Sequence, residues 1–468
     1  MRRRLAVQTL SILLLLWPQG ALQAQTADEV KDLRKQIQEL EQSLASLKLK
    51  VDAMEKTPPS PVAAAGPQPD SQTAPPSPVA ASTPLGQRET SRRDAETVAR
   101  VDNVPLDPSR KGYIPIPGTA SSFKIGGYAK MDAIVDPKLA GNPDQFVTSS
   151  IPVNVPSGVN TSSFNLHGRQ TRFNVDFRRP SGNVPVRMFV ETDFFGSGGA
   201  TAFRMRHAYG QASNLLAGWT WSTLVDVDAF PDTLDNMSPN GTSKTRQPQV
   251  RYTAPMRRGN SLALAVEKPT SEISIEGVSN VNPFPDAVVR YRHEGPWGHL
   301  QLGGVFRQIG GASQSLNAKR SVFGSGAMLT GGIKVLERDF LVFGASDGHG
   351  MAHYIDVLSG LGLDADVNAT RTDLTALPAF GGYGGYQHRW SRSLRSTATY
   401  GFAQVTNSPA QGDSVFHDGY YASGNIIWRP SRTGEVGVEY VVGEHVRKDG
   451  ASETASRLQF SLKYDLIY

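Results

Sequence analysis

The chain has no cysteine among its 468 residues, which excludes a disulfide scaffold and any thiolate metal site. Only 39% of it is apolar, and no apolar run reaches the roughly 18 residues that a membrane-spanning helix needs. A helical membrane protein is thereby excluded; a soluble protein or a β-barrel is not. Basic clusters interleaved with aromatics are missing. The net charge of +5 is small and interspersed, so nucleic acid is not an expected partner. No Gly-Lys-Ser/Thr loop for phosphate is present. The nine histidines are scattered. His349 and His353 stand four apart, but beside glycine and with no helix signal, so no metal, cofactor or enzyme activity is expected. Glycine, by contrast, is abundant at 46 residues, which suits turns and strand contacts.

What is present falls into four zones. Arg2, Arg3 and Arg4 precede a short apolar stretch, Leu10 to Trp17, which reads as an export signal over residues 1–24 with cleavage after Ala24. Residues 25–56 hold Val30, Leu33, Ile37, Leu40, Leu44, Leu47, Val51 and Met54. Their spacing alternates between three and four, the seam of a coiled coil. Branched residues at one seam position with leucine at the other lean towards a dimer, a lean that Leu44 weakens. Residues 57–117 form a proline-rich and then polar linker, in which Pro58-Pro59-Ser60-Pro61-Val62-Ala63-Ala64 recurs as Pro75-Pro76-Ser77-Pro78-Val79-Ala80-Ala81.

From 118 to 468 the period becomes two. Leu458, Phe460, Leu462, Tyr464 and Leu466 alternate with Arg457, Gln459, Ser461, Lys463 and Asp465, and Tyr468 ends the chain on an aromatic residue. Short polar turns are predicted at 180–183, 213–216, 255–260, 295–298, 336–339, 391–394 and 430–434. Longer connections are predicted at 136–165, 226–247, 269–285, 310–324 and 347–376. Together they imply an all-β transmembrane antiparallel barrel of about 16 strands, with short turns on one rim and long loops on the other. Trp297, Trp390 and Trp428 fall in or beside the short turns, as an aromatic girdle would.

The text Phe123-Lys124-Ile125-Gly126-Gly127-Tyr128, then Arg204-Met205-Arg206-His207-Ala208-Tyr209-Gly210 and Gly218-Trp219-Thr220-Trp221-Ser222, resembles the DcaP-like porins of Gram-negative outer membranes, as does the preceding heptad helix. The resemblance implies an outer-membrane homotrimer of sixteen-stranded barrels, a third loop folded into the pore, and passage of small anions such as dicarboxylates. The N-terminal arm would then lie in the periplasm. Trp219 stands where the resemblance leads one to expect glutamine. A structural or adhesive barrel anchored by the coiled-coil arm is the alternative reading.

Parity separates lipid from lumen on each strand. Val186, Met188, Val190, Ala287, Val289 and Tyr291 are predicted to face lipid; Arg187, Glu191, Asp193, Arg290 and Arg292 the lumen. A hairpin centred between Ser181 and Gly182 would set Arg172 opposite Glu191 and Asp176 opposite Arg187, as contacts within the wall. Arg206 has the uncharged hairpin partners Thr220 or Ser222, and Arg290 and Arg292 face Gly303 and Gln301. Arg204, Arg206, Arg251, Arg290 and Arg292 are therefore the candidate anion ligands, with Arg172 and Arg187 also lining the pore. Guanidinium grips a carboxylate with two parallel bonds, which suits this role. In the loop 226–247, Asp226, Asp228, Asp232, Asp235, Lys244 and Arg246 would create a transverse field across a constriction if the loop folds inward.

Overall fold

The computed structural model describes residues 112–466 apart from 156–160, 180–183, 198–201, 314–317, 337 and 369–371. The expected signal, the heptad segment and nearly all of the linker lie outside the described residues, as does Tyr468.

Sixteen antiparallel strands close into a barrel. They are β1 (Ser122–Asp136), β2 (in two pieces, Ser163–His167 and Arg172–Arg179), β3 (Val186–Asp193) and β4 (Arg204–Ala212). Then come β5 (Leu215–Trp221), β6 (Arg246–Pro255), β7 (Asn260–Glu267) and β8 (Asp286–Gly295). The taller half follows: β9 (Gly298–Ser313), β10 (Ala318–Val335), β11 (Asp339–His349) and β12 (Pro378–Arg389). It ends with β13 (Leu394–Val405), β14 (Phe416–Trp428), β15 (Gly434–Arg447) and β16 (Ser452–Asp465). Each strand pairs with the next, and β1 pairs with β16 through Ala129 opposite Tyr464 and Val135 opposite Leu458, which closes the ring. Before β1, Ile114–Pro115 folds back onto Ser122 and Phe123.

All seven predicted turns fall between consecutive strands, within a residue or two of their expected positions. One expected long connection, 310–324, is shorter than expected, its middle residues 314–317 lying outside the described residues. Residues 310–313 and 318–324 are strand, in β9 and β10 of 16 and 18 residues. The glycines of this stretch sit in paired strand, where a Cβ on Gly310 or Gly311 would lie 2.8 Å from Val281 or Val278 of the preceding loop, so they allow a close approach and do not make a turn.

The barrel is apolar outside and charged inside. Phe460, Leu462 and Tyr464 are 48–59% exposed on β16, whereas Arg457, on the opposite face, is 0% exposed. Arg172, Arg178, Arg187, Arg206, Arg290 and Arg457 are among the largest fully buried side chains. A water-soluble barrel of this size would bury its apolar face instead. The lipid-facing residues expected on β3 and β8 do point outward, and Arg187, Glu191, Asp193, Arg290 and Arg292 do point inward.

Candidate functional site: the lumen and its inward loops

Loops on the long-loop rim are numbered L1 to L8 in chain order. L3, residues 222–245, leaves the seven-residue β5 and turns into the lumen. Asp226 opens a short 3-10 turn and accepts from the Asp228 backbone N–H at 3.3 Å. Its carboxylate also takes Arg292 Nη1 at 2.7 Å and Thr330 Oγ1 at 2.8 Å, and lies 2.8 Å from His299 Nε2. Asp228 accepts from Arg292 Nη2 at 2.7 Å. The loop thus grips β8, β9 and β10 at its start.

It then crosses to the opposite wall. Asp232 accepts from Arg395 Nε at 2.5 Å and from Gln387 Nε2 at 2.6 Å. Glu439 on β15 receives the backbone N–H groups of Leu234 and Asp235 at 3.0 and 2.9 Å. Lys130 Nζ on β1 donates to the Leu234 carbonyl at 2.7 Å. Among the described residues Asp235 meets no arginine; it accepts the backbone N–H groups of Phe146, in L1, and Met237. Lys244 donates to the Asn236 carbonyl at 2.5 Å, and the Arg246 guanidinium lies 4.2 Å from the centre of the Trp221 ring.

Glycines on the inner face make room for this crossing. A Cβ on Gly385 would lie 2.9 Å from Pro231, on Gly437 2.9 Å from Leu234, and on Gly401 2.3 Å from the Asn240 carbonyl oxygen. The run Gly381-Gly382-Tyr383-Gly384-Gly385 is therefore a loop seat in a strand rather than a turn.

L6, residues 350–377, also enters the barrel. Met351, Ala352, Tyr354, Ile355 and Leu358 are fully buried against inward-facing Val288, Val305, Met328 and Val405. The lumen therefore holds an apolar plug in one sector. L1 contributes Phe146, packed on Tyr421 and Val441. A cleft lined by Tyr128, Lys130, Gln170, Asp232, Leu234 and Lys463 stays between L3 and the wall on one side.

The predicted arginines lie inside, but most grip acids. Arg204 bonds Asp193 at 2.9 and 2.6 Å, with 31% of its side chain exposed. Arg206 bonds Glu191 at 2.9 Å and Asp193 at 3.0 Å. Its expected uncharged surroundings are a correction: β5 does offer Thr220, but β3, on the other side, offers both acids. A bulge at Arg206 turns both it and His207 inward. Arg290 and Arg292 do face Gly303 and Gln301, but L3 brings Asp226 and Asp228 to Arg292 from above. Arg251 bonds Gln249 Oε1 at 3.0 Å and the Trp221 carbonyl at 2.7 Å.

The β2–β3 register is two residues away from the expected one. Asn174, not Arg172, faces Glu191, and Arg178 faces Arg187. Arg187 still reaches Asp176 diagonally, at 3.1 and 3.0 Å. Arg172 lies 5.5 Å from the Tyr128 ring. Arg395, Arg457, Lys130 and Glu439 were not anticipated, although each obeys the same inward parity.

Gly344-Ala345-Ser346-Asp347-Gly348 matches the spacing of a hydrolase nucleophile elbow, which requires a strand-to-helix turn. Here it lies within β11, with Ser346 paired to Met328 and Gly381, so it is barrel wall.

A closed barrel with an apolar exterior, a charged interior and a loop latched across its lumen is a porin-type channel of the outer membrane, not an enzyme. The chain belongs to the DcaP outer membrane protein family, whose sequence profile matches residues 107–466. Among solved structures it is similar to the outer membrane channel DcaP of Acinetobacter baumannii, at 23% identity and a TM-score of 0.67, over 75% of this chain and 99% of that one. It is also similar to the anion-selective porin from Comamonas acidovorans, at 10% identity and a TM-score of 0.53, over 74% of this chain and 100% of that one. Salmonella typhi OmpF, in complex with daunomycin, matches at 10% identity and a TM-score of 0.50, over 75% of this chain and 100% of that one. A search of curated proteins found no match.

Proposed function

We propose that the barrel conducts small hydrophilic solutes with a preference for anions, dicarboxylates among them. One observation carries this reading. The wall of β2, β4 and β6 gathers Arg172, Arg204, Arg206 and Arg246 within electrostatic reach of one another, against Glu191 and Asp193 of β3. The adjoining cleft holds Lys130 and Lys463 beside Asp232 and Glu435, so the surplus is that of the arginines. Such a surplus raises the local anion concentration, and water keeps each contact weak enough for release. The Comamonas relative is named as anion-selective, which supports the same reading.

The test is the reversal potential in a salt gradient, with the full-length protein in planar bilayers. Anion selectivity is expected, falling at 1 M salt because the screening length shrinks to about 3 Å. An Arg204→Ala, Arg246→Ala double variant should lose most of it. Cation selectivity, or a barrel with no current, would overturn the reading.

The finer organisation is proposed with it. Residues 1–24 direct export, residues 25–56 form a periplasmic coiled coil, and the barrels assemble as a homotrimer surrounded by outer-membrane lipid.

A further inference from the structure

The short-turn rim carries a charge pattern that conduction does not use. The seven turns between strands contain Arg257, Arg258, Arg338, Arg392, Arg429 and Arg432, against one acid, Glu337. Arg179 adds a seventh arginine at the end of β2. Arg179, Arg257, Arg258, Arg338 and Arg392 are exposed, and their guanidinium groups make no ion pair among the described residues. On the long-loop rim exposed charges of both signs are interspersed, Lys268 and Lys319 with Glu276, Asp347 and Asp413, and some are paired, as in Lys138 with Glu453 and Arg447 with Asp449.

Depth gives the arginines a partner. Each lies within a few residues of an exposed apolar or aromatic side chain that ends the lipid-facing stripe. Met256, 44% exposed, precedes Arg257; Leu336, 81% exposed, is two before Arg338; Trp390, 61% exposed, is two before Arg392. Trp428 and Trp297, 51% and 38% exposed, complete the belt. Tryptophan of this kind sits at the headgroup level. The arginines one or two residues further out therefore reach phosphate depth. On an outer-membrane barrel with short periplasmic turns, that leaflet is the periplasmic one.

We propose that this rim is a collar that binds anionic phospholipid of the periplasmic leaflet. The guanidinium groups fork onto lipid phosphate while Trp297, Trp390 and Trp428 lie against the glycerol and upper acyl chain. Exposed arginines at four turns around the ring engage several lipids at once. The collar fixes the depth of the barrel and makes the annular lipid richer in negative charge than the bulk.

The test uses the full-length protein in vesicles of equal parts phosphatidylglycerol and phosphatidylcholine, with bromine on the acyl chains of one lipid or the other. Tryptophan quenching reports which lipid touches the belt. Brominated phosphatidylglycerol is expected to quench more, with a relative preference of about two- to fivefold, since a basic residue near an anionic surface contributes about a fivefold gain. The preference should fall at high sodium chloride. An R257Q, R258Q, R338Q, R392Q variant, shown by heat-modifiable gel mobility to be folded, should bring the ratio close to one. Equal quenching in the wild type overturns the proposal without any variant. So does an unchanged ratio in the folded variant. Loss of the preference in inorganic phosphate, but not in chloride of equal ionic strength, would reassign the rim to free phosphate.

Discussion

Arg204 and Arg206 look alike in sequence, stand two residues apart, and differ in what their loss would do. Arg206 is 1% exposed and holds Glu191 and Asp193, both themselves fully buried. Removing it leaves two carboxylates without that partner, and breaking such a buried pair costs about 3–5 kcal/mol. Arg206→Ala should therefore lower the temperature at which the barrel unfolds on detergent gels, whatever it does to selectivity. Arg204, partly exposed and sharing Asp193 with Arg206, should be replaceable by alanine with little loss of stability and a measurable loss of anion preference. Equal heat stability of the two variants would refute this division. Glu439 is a second decisive residue, since it accepts Asn425 Nδ2 at 2.8 Å besides the two backbone N–H groups of the L3 tip. In Glu439→Gln one acceptor becomes a donor pointing at an N–H. A charge-assisted bond contributes about 1.5–3 kcal/mol, enough to loosen the tip. Single-channel conductance should rise and flicker; an unchanged trace would show that the other contacts hold L3 alone.

At the scale of elements, period and turn chemistry made most of the barrel legible. The seven turns and the inward parity of β3 and β8 follow from polar clusters and alternation alone. Three things did not follow. The β2–β3 register depends on the conformation of the 180–185 turn, and a shift of two residues keeps parity while changing every opposite pair. The bulge at Arg206 has no composition signal. The inward docking of L6 is a tertiary choice: its apolar residues Met351 to Leu358 could cover an outer rim as well as fill a lumen, and only the inner-wall partners decide. L6 should also respond to pH. Asp364 packs against Arg307 of β9, Glu272 of L4 and His353. Burial pushes its carboxyl up to about 6, although Arg307 pulls the other way. A carboxyl that holds its proton more tightly when docked favours the docked loop as pH falls. The gain should develop from about pH 6 down to about pH 4, the range between the docked carboxyl and an ordinary one. Hydrogen exchange of the 351–363 amides, corrected for intrinsic rate, should be slower at pH 5 than at pH 7. Asp364→Asn should flatten the difference. Faster corrected exchange at pH 5 in the wild type would reverse the assignment.

For the whole molecule, the uneven height of the wall bears on assembly. Strands β3 to β5 have 8, 9 and 7 residues, whereas β9 and β10 have 16 and 18. A strand of eight residues, tilted as such barrels require, spans about 20 Å, less than the apolar band of about 25 Å. Yet this low sector still presents Met188, Val190, Phe203, Met205 and Leu215, each 45–69% exposed. Lipid around it would have to thin, at a cost in every ångström of mismatch. Contact with a second copy of the same short wall removes that cost. The barrel, not the heptad arm, should then supply the main trimer contact. A chain beginning near residue 107, refolded in detergent, should run as a trimer in native mass spectrometry, and so should the full-length mature chain. Met188→Arg on the low wall should yield monomers with an intact, heat-modifiable barrel, because an outward charge disfavours a packed apolar interface. A truncated chain that is monomeric while the full-length chain is trimeric would move the assembly contact to residues 25–56 and leave the low wall to lipid.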